Sequence, residues 1–212
     1  MSALGLPAER LVVKIVQLVT LSRQGKVIPM SKREGEYVKF RDVLDEVGVD
    51  ATRFFYLMRT MESHLDFDLD LAKSQSQENP VYYVQYAHAR IWSILDYAQQ
   101  QLPKKALDAE PELGRLTEPE ERLLIRTLFQ FPLVLTACAV ALEPHGVTTY
   151  LQRLAETFHI FYTKHRVITE DVPLSSARMA LISAVSLVLR NGLDLLGVSA
   201  PKRMAKTEAA AS

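Results

Sequence analysis

Apolar residues change their spacing twice along the chain, and each change marks a different kind of structure. Leu11-Val12-Val13-Lys14-Ile15-Val16-Gln17-Leu18-Val19 is an almost unbroken apolar run rich in β-branched side chains. That pattern predicts a strand buried on both faces, as in a parallel sheet. Arg23-Gln24-Gly25-Lys26 then reads as a turn and Val27-Ile28 as a second short extended piece. One strand pair is not stable alone, so residues 1–45 read as the edge of a larger α/β layer. Two short helical patterns follow, Arg41 to Val47 and Asp50 to Arg59, separated by Gly48. From His64 to Leu71 apolar residues alternate strictly, which predicts an extended segment with one buried face.

Past residue 79 only helical spacing remains. The predicted helices run over 79–101, 117–141, 147–167 and 173–196. Asn79-Pro80 supplies an N-cap followed by proline at the first helical position. Thr117-Glu118-Pro119-Glu120 reads as a capping box with Thr117 as the cap. Pro144 and Pro173 open the next two helices, and Pro132 should kink the second by removing a donor. The expected organisation is an α/β remnant over 1–45, connecting helices and an extended segment over 46–78, a helical bundle over 79–204, and a frayed tail over 205–212.

Composition narrows the chemistry. Hydrophobic residues make up 48% of the chain, enough for a sizeable core. Lys+Arg and Asp+Glu are both 25, so any affinity for nucleic acid must come from local patches rather than a global field. Cys138 is the single cysteine and sits in an apolar run; a buried core thiol is expected, with no disulfide. Asp66, Asp68 and Asp70 invite a metal reading, but without converging ligands and a glycine turn they read as solvated carboxylates. His159 and His165 have no third ligand nearby in sequence, so no metal site is expected. No uncharged apolar stretch reaches the length of a membrane span, about 18 residues, and no secretory signal is visible. The expectation is a cytoplasmic protein without a membrane partner.

Three groups of residues could carry chemistry. On the helix from Asn79, Val84, Ala87, Ile91, Ile94, Leu95 and Ala98 share the core arc. Tyr83, Tyr86, Arg90 and Tyr97 cluster on its flank. Such a flank can stack unpaired bases and pair with phosphate. It can equally cap a core with wet hydroxyls, and periodicity leaves both readings open. The helix around Tyr150 places Tyr162 and Arg166 at i, i+4, with Lys164, His165 and Arg166 as a basic patch that also complements the helix dipole. The loop Pro29-Met30-Ser31-Lys32-Arg33-Glu34-Gly35 offers adjacent cations that can hold a polyphosphate during nucleotidyl transfer, or be merely solvated.

These signals fall in an order that resembles one family. Met30-Ser31-Lys32-Arg33 resembles the Lys-Met-Ser-Lys-Ser signature of class I aminoacyl-tRNA synthetases, with Pro29 and Arg33 departing from it. Asp50-Ala51-Thr52-Arg53 resembles the Asp-Ala-Leu-Arg element that names an anticodon-binding domain. Glu78-Asn79-Pro80-Val81-Tyr82-Tyr83-Val84-Gln85-Tyr86-Ala87-His88-Ala89-Arg90 and Leu196-Gly197-Val198-Ser199-Ala200-Pro201-Lys202-Arg203-Met204 are similar to stretches of bacterial arginyl-tRNA synthetase.

The resemblance implies a mainly α fold, a helical bundle of the DALR anticodon-binding type preceded by a small α/β remnant of a class I catalytic domain. It implies tRNA contacts at Tyr83, Tyr86, Arg90, Tyr162, Arg166 and Met204. It also implies a catalytic role for Lys32 within the ATP-signature loop Met30, Ser31, Lys32 and Arg33. The implied partners are arginine-accepting tRNA and the rest of a catalytic domain, not DNA. ATP with Mg2+ would serve the intact enzyme, and no cofactor is expected for this portion alone. The His-x-Gly-His signature and the arginine pocket are not in the chain, so it is expected to be inactive by itself. Residues 205–212 continue past the position where the family often ends. A free-standing helical tRNA-binding or protein-interaction module is the alternative.

Overall fold

The computed structural model describes Gly5, Pro7 and residues 11–29, 38–103 and 110–204. Its first layer is a three-stranded sheet in the order β2-β1-β3, from β1 (Val19–Arg23), β2 (Lys26–Val27) and β3 (Leu65–Asp68). Gln24 and Gly25 both have positive φ, 51° and 70°, the geometry a two-residue hairpin needs to match strand twist. β1 pairs antiparallel with β2 and parallel with β3, Leu21 opposite Phe67. The parallel pairing requires a crossover, made by α1 (Phe40–Val47) and α2 (Val49–Leu57). Gly48, at φ 89°, breaks the chain between them.

Two expectations for this layer are corrected. Residues 11–18 form no strand and are exposed along their whole length. Their Gln17 N–H donates to the Met61 carbonyl at 3.1 Å. A strand needs a ladder on at least one edge, and none of the described residues supplies it. The alternating segment also ends early: Asp68 turns its carboxylate onto the N–H groups of Asp70 and Leu71 and starts α3 (Leu69–Lys73). Alternation stops where a side chain suited to capping meets free backbone donors.

The second layer is the bundle. It comprises α4 (Pro80–Gln101), α5 (Pro119–Phe129), α6 (Phe131–Ala141), α7 (His145–Lys164) and α8 (Val172–Leu196). The Asn79 side chain accepts from the N–H groups of Val81 and Tyr82 while its amide donates to the carbonyls of Ala72 and Ser74, so the cap also fixes the entry loop. The capping box of α5 falls one residue later than expected, from Glu118 to Glu121. At Pro132 the chain breaks into two helices rather than bending one. α7 ends at Lys164, so Arg166 lies beyond it rather than on its last turn. The core runs through Val84, Ile91, Leu124, Leu154, Phe158 and Leu189, all fully buried.

The side chain of Glu121 is wholly buried and that of Arg178 nearly so; they pair at 2.7 Å. Cys138 is half-buried rather than buried, on α6. Two stretches are long and apolar by mean hydropathy, though neither is uncharged along its length. α8 is long and apolar enough to cross a membrane by composition, yet it is a core helix of this bundle. Pro119–Ala141 passes the same test but is broken at Gln130, with Phe129, Leu133 and Val140 exposed.

Candidate nucleic-acid interface

α4 and α7 lie side by side, and their shared edge carries most of the predicted surface. Tyr83 and Tyr86 leave α4 toward α7 and meet His159, with ring centroids 4.9 Å and 6.0 Å from its imidazole. Tyr86 is also stacked on Tyr82 at 6.1 Å. Tyr82, Tyr86 and His159 therefore form three nearly parallel rings, a ladder that crosses from one helix to the other. Tyr86 is exposed, at 36%, and Tyr83 and Tyr162 are half-buried. Burial, and then the charge of Glu156, raises the Tyr83 phenol further above its ordinary value. Tyr83 therefore presents its ring rather than charge.

One turn further along α4, Arg90 reaches Tyr162. Its Nη2 donates to the Tyr162 hydroxyl at 2.8 Å, and its guanidinium carbon lies 4.9 Å from the ring centroid. Tyr162 stacks in turn on buried Phe158. Arg90, Tyr162 and Arg166 line a groove of about 420 Å3, floored by Ile94 and Val167. Arg166 is exposed there. Its backbone is held by Arg178, whose Nη1 donates to the Arg166 carbonyl at 2.7 Å. The buried Glu121–Arg178 pair thus anchors the groove's far wall.

The expected basic patch is largely neutralised. Lys164 and His165 contact Glu120 at 2.5 Å and 3.0 Å. The Lys164 hydrogen bond, and then that of His165, holds the Glu120 carboxyl down to about 2. Glu118, Glu120 and His165 bring ligand atoms within 4.8 Å of one another, but both Glu120 oxygens are already engaged by Lys164 and His165. Arg166 is left as the cation of that trio facing the groove.

Met204 belongs to the other end of the ladder. It lines a groove of about 580 Å3 with Tyr82, Gln85 and Asp50. A strap over 197–204 delivers it there. Gly197 takes the left-handed conformation, φ 65°, that ends α8. Ser199 donates from its backbone and its hydroxyl to the Asp50 carboxylate, and Gln85 donates to both Asp50 and the Ser199 carbonyl. The Trp92 indole donates to His88 Nε2, so Nδ1 carries the histidine's proton and donates to the Pro201 carbonyl at 2.9 Å. Lys202 sits over the Trp92 ring at 4.0 Å.

The structure therefore joins Tyr83, Tyr86, Arg90 and Tyr162 on one edge, sets Arg166 across the groove, and puts Met204 beyond Tyr82. Met30, Ser31, Lys32 and Arg33 lie outside the described residues. Sequence reasoning missed Tyr82 and His159. Tyr82 was visible at i, i+4 from Tyr86; His159 was weighed only as a metal ligand.

Residues 84–204, more than half of the chain, match the profile of the DALR anticodon binding domain. The chain is 52% identical over 94% of its length to a protein from Geobacter metallireducens and 53% identical over 89% to one from Geotalea uraniireducens; both are named arginine–tRNA ligase. A crystal structure from Campylobacter jejuni assigned as an arginyl-tRNA synthetase superposes with a TM-score of 0.77 at 28% identity, covering 96% of this chain and 43% of that one. The chain spans about a third of the length of the curated relatives it matches, 36% and 34%.

Proposed function

The chain belongs to the DALR anticodon binding domain family, and from that footing we propose that it grips the anticodon loop of arginine-accepting tRNA as one portion of an arginine–tRNA ligase. The observation that carries this reading is the α4–α7 edge, where exposed Tyr86, half-buried Tyr162 and the guanidinium of Arg90 lie beside an open groove. Unpaired bases need flat rings to stack on, and the phosphates between them need cations; this edge offers both. Arg166 adds a second cation across the groove, and Met204 adds a soft apolar contact beyond Tyr82.

The 52% and 53% identity with proteins named arginine–tRNA ligase supports the amino acid, and the short coverage supports a catalytic body as the further partner. In that enzyme ATP, with Mg2+, drives the attachment of arginine, and Lys32 with Met30, Ser31 and Arg33 contributes the phosphate-holding loop.

The test is binding of arginine tRNA by the 212-residue chain across a salt series. Affinity should fall as salt rises, because each phosphate contact releases counterions. It should also exceed affinity for a tRNA with a mismatched anticodon. Binding indifferent to both salt and anticodon would remove the proposal.

A further inference from the structure

His159 is the polar group in this surface that the packing leaves unsatisfied. Its imidazole is enclosed by Tyr83 and Tyr86 from α4 and by Phe158 on its own helix, with ring centroids between 4.9 Å and 6.0 Å. Its Nε2 is fully covered and has no hydrogen-bond partner. A buried polar atom without a partner is uncommon and costly in a native structure. An apolar ring of the same size would fill this space without that penalty. The structure instead holds a hydrogen-bonding edge under an aromatic cover.

That cover is unequal. Phe158 is fully buried and Tyr83 half-buried, whereas Tyr86 is exposed and held only by stacking on Tyr82 and His159. Arg90, the nearby cation, is already held by Tyr162. The charged and titratable groups facing the imidazole are Arg90, Tyr83 and Tyr86 from α4, with Glu156 and Tyr162 along α7. Burial, and then Arg90, depresses the imidazole to about 4. The ring is neutral at physiological pH and so can donate at one nitrogen and accept at the other.

We propose that His159 is a base-reading residue of this surface: when Tyr86 moves aside, the edge of an unpaired anticodon base enters in the plane of the imidazole and hydrogen-bonds to Nε2. The inference rests on the tRNA-binding reading above and deepens it. Tyr86 and Tyr162 stack on any base, because every base has a π-face. Discrimination requires an edge-on hydrogen bond, and an interaction site left unpaired by the wrong base is what rejects it. Neutral His159 supplies that edge between two stacking rings, and Arg90 remains beside it for the flanking phosphate.

The experiment measures binding of the full chain to the anticodon stem-loop of arginine tRNA, and to versions carrying an abasic site at each loop position in turn. His159→Phe keeps the ring and removes the nitrogens; His159→Gln returns a hydrogen-bonding group near Nε2. His159→Phe should weaken binding to the intact loop about tenfold, the value of roughly one hydrogen bond. That loss should vanish on the loop lacking one particular base, and His159→Gln should recover part of it. Wild-type affinity in His159→Phe, or an equal loss on every abasic loop, overturns the role of His159 while leaving tRNA binding intact. Failure of the wild-type chain to bind any stem-loop overturns the reading and this inference together. Should a variant not fold, the wild-type imidazole 15N resonances decide. A shift of Nε2 on saturation with the stem-loop supports the proposal, and an unmoved Nε2 overturns it.

Discussion

Arg90 and Tyr162 hold each other across the α4–α7 edge twice over, by a hydrogen bond of 2.8 Å and by a guanidinium 4.9 Å from the ring centroid. The arginine is thereby aimed along the groove before any ligand arrives, and the tyrosine ring is kept from closing over it. Tyr162→Ala should weaken tRNA binding by about 1–3 kcal/mol if a base stacks there. Tyr162→Phe keeps the ring and frees Nη2 for phosphate, so it should cost much less. Arg90→Gln should lower the slope of log affinity against log salt by about one, since one phosphate contact is lost. Titrations at several salt concentrations check all three.

The buried Glu121–Arg178 pair links core stability to the groove wall. Arg178→Met leaves the buried Glu121 carboxyl without its ion-pair partner and should cost about 3–5 kcal/mol in urea unfolding. Replacing both residues with apolar ones should return most of that. tRNA binding should stay impaired in the double variant, because the Arg166 carbonyl has lost its donor.

Gly197→Ala should destabilise through two independent effects. The left-handed φ of 65° costs a residue with a Cβ about 1–2 kcal/mol. The new Cβ would also stand 2.7 Å from the Arg53 guanidinium, which donates to the Leu196 carbonyl. A lower thermal midpoint together with weaker tRNA binding is expected, because the strap carrying Met204 begins at this residue.

Acid should loosen the fold in two stages. The unfolded chain protonates the His159 imidazole near pH 6.5, the folded chain only near 4. Between those values the unfolded state binds the extra proton, so stability falls as pH drops through this window and levels off below it. His88, also depressed by burial, acts in the same direction. Glu120 works lower down. Its folded pKa of about 2 against 4.5 means that its contribution is present above 4.5 and is lost as pH falls toward 2. Thermal unfolding from pH 7 to pH 3 should show His159→Phe flattening the upper stage and Glu120→Gln the lower.

The bundle was legible because its signals are local. Asn79 caps, proline opens helices, and the apolar stripe of α4 is seen in one helix's own spacing. What was hidden depends on residues distant in sequence. Nothing near Glu120 announces that it binds Lys164 and His165, 44 and 45 residues on, so the basic patch looked free. Ala89 lies off the apolar arc of α4 yet is buried at 5%; α4 is covered over more of its circumference than one stripe implies. His159 could be weighed from sequence only as a metal ligand, because an imidazole under two tyrosines from another helix has no signature in its own neighbours. Residues 11–18 were read as a strand from composition, but strands are made by partners, and the described residues provide none.

The strap from 197 to 204 also sets an order on synthesis. Asp50 and Arg53 leave the ribosome well before their partners: Ser199 and the Leu196 carbonyl come 149 and 143 residues later. The helices can gather before then, but the surface around Met204 closes only when translation has passed Lys202 and Arg203. A product ending within the last turns of α8 would lose Leu196 and Val198 from the core and, with the strap, the Met204 end of the ladder. Its defect would therefore fall on the edge proposed to meet tRNA as well as on stability.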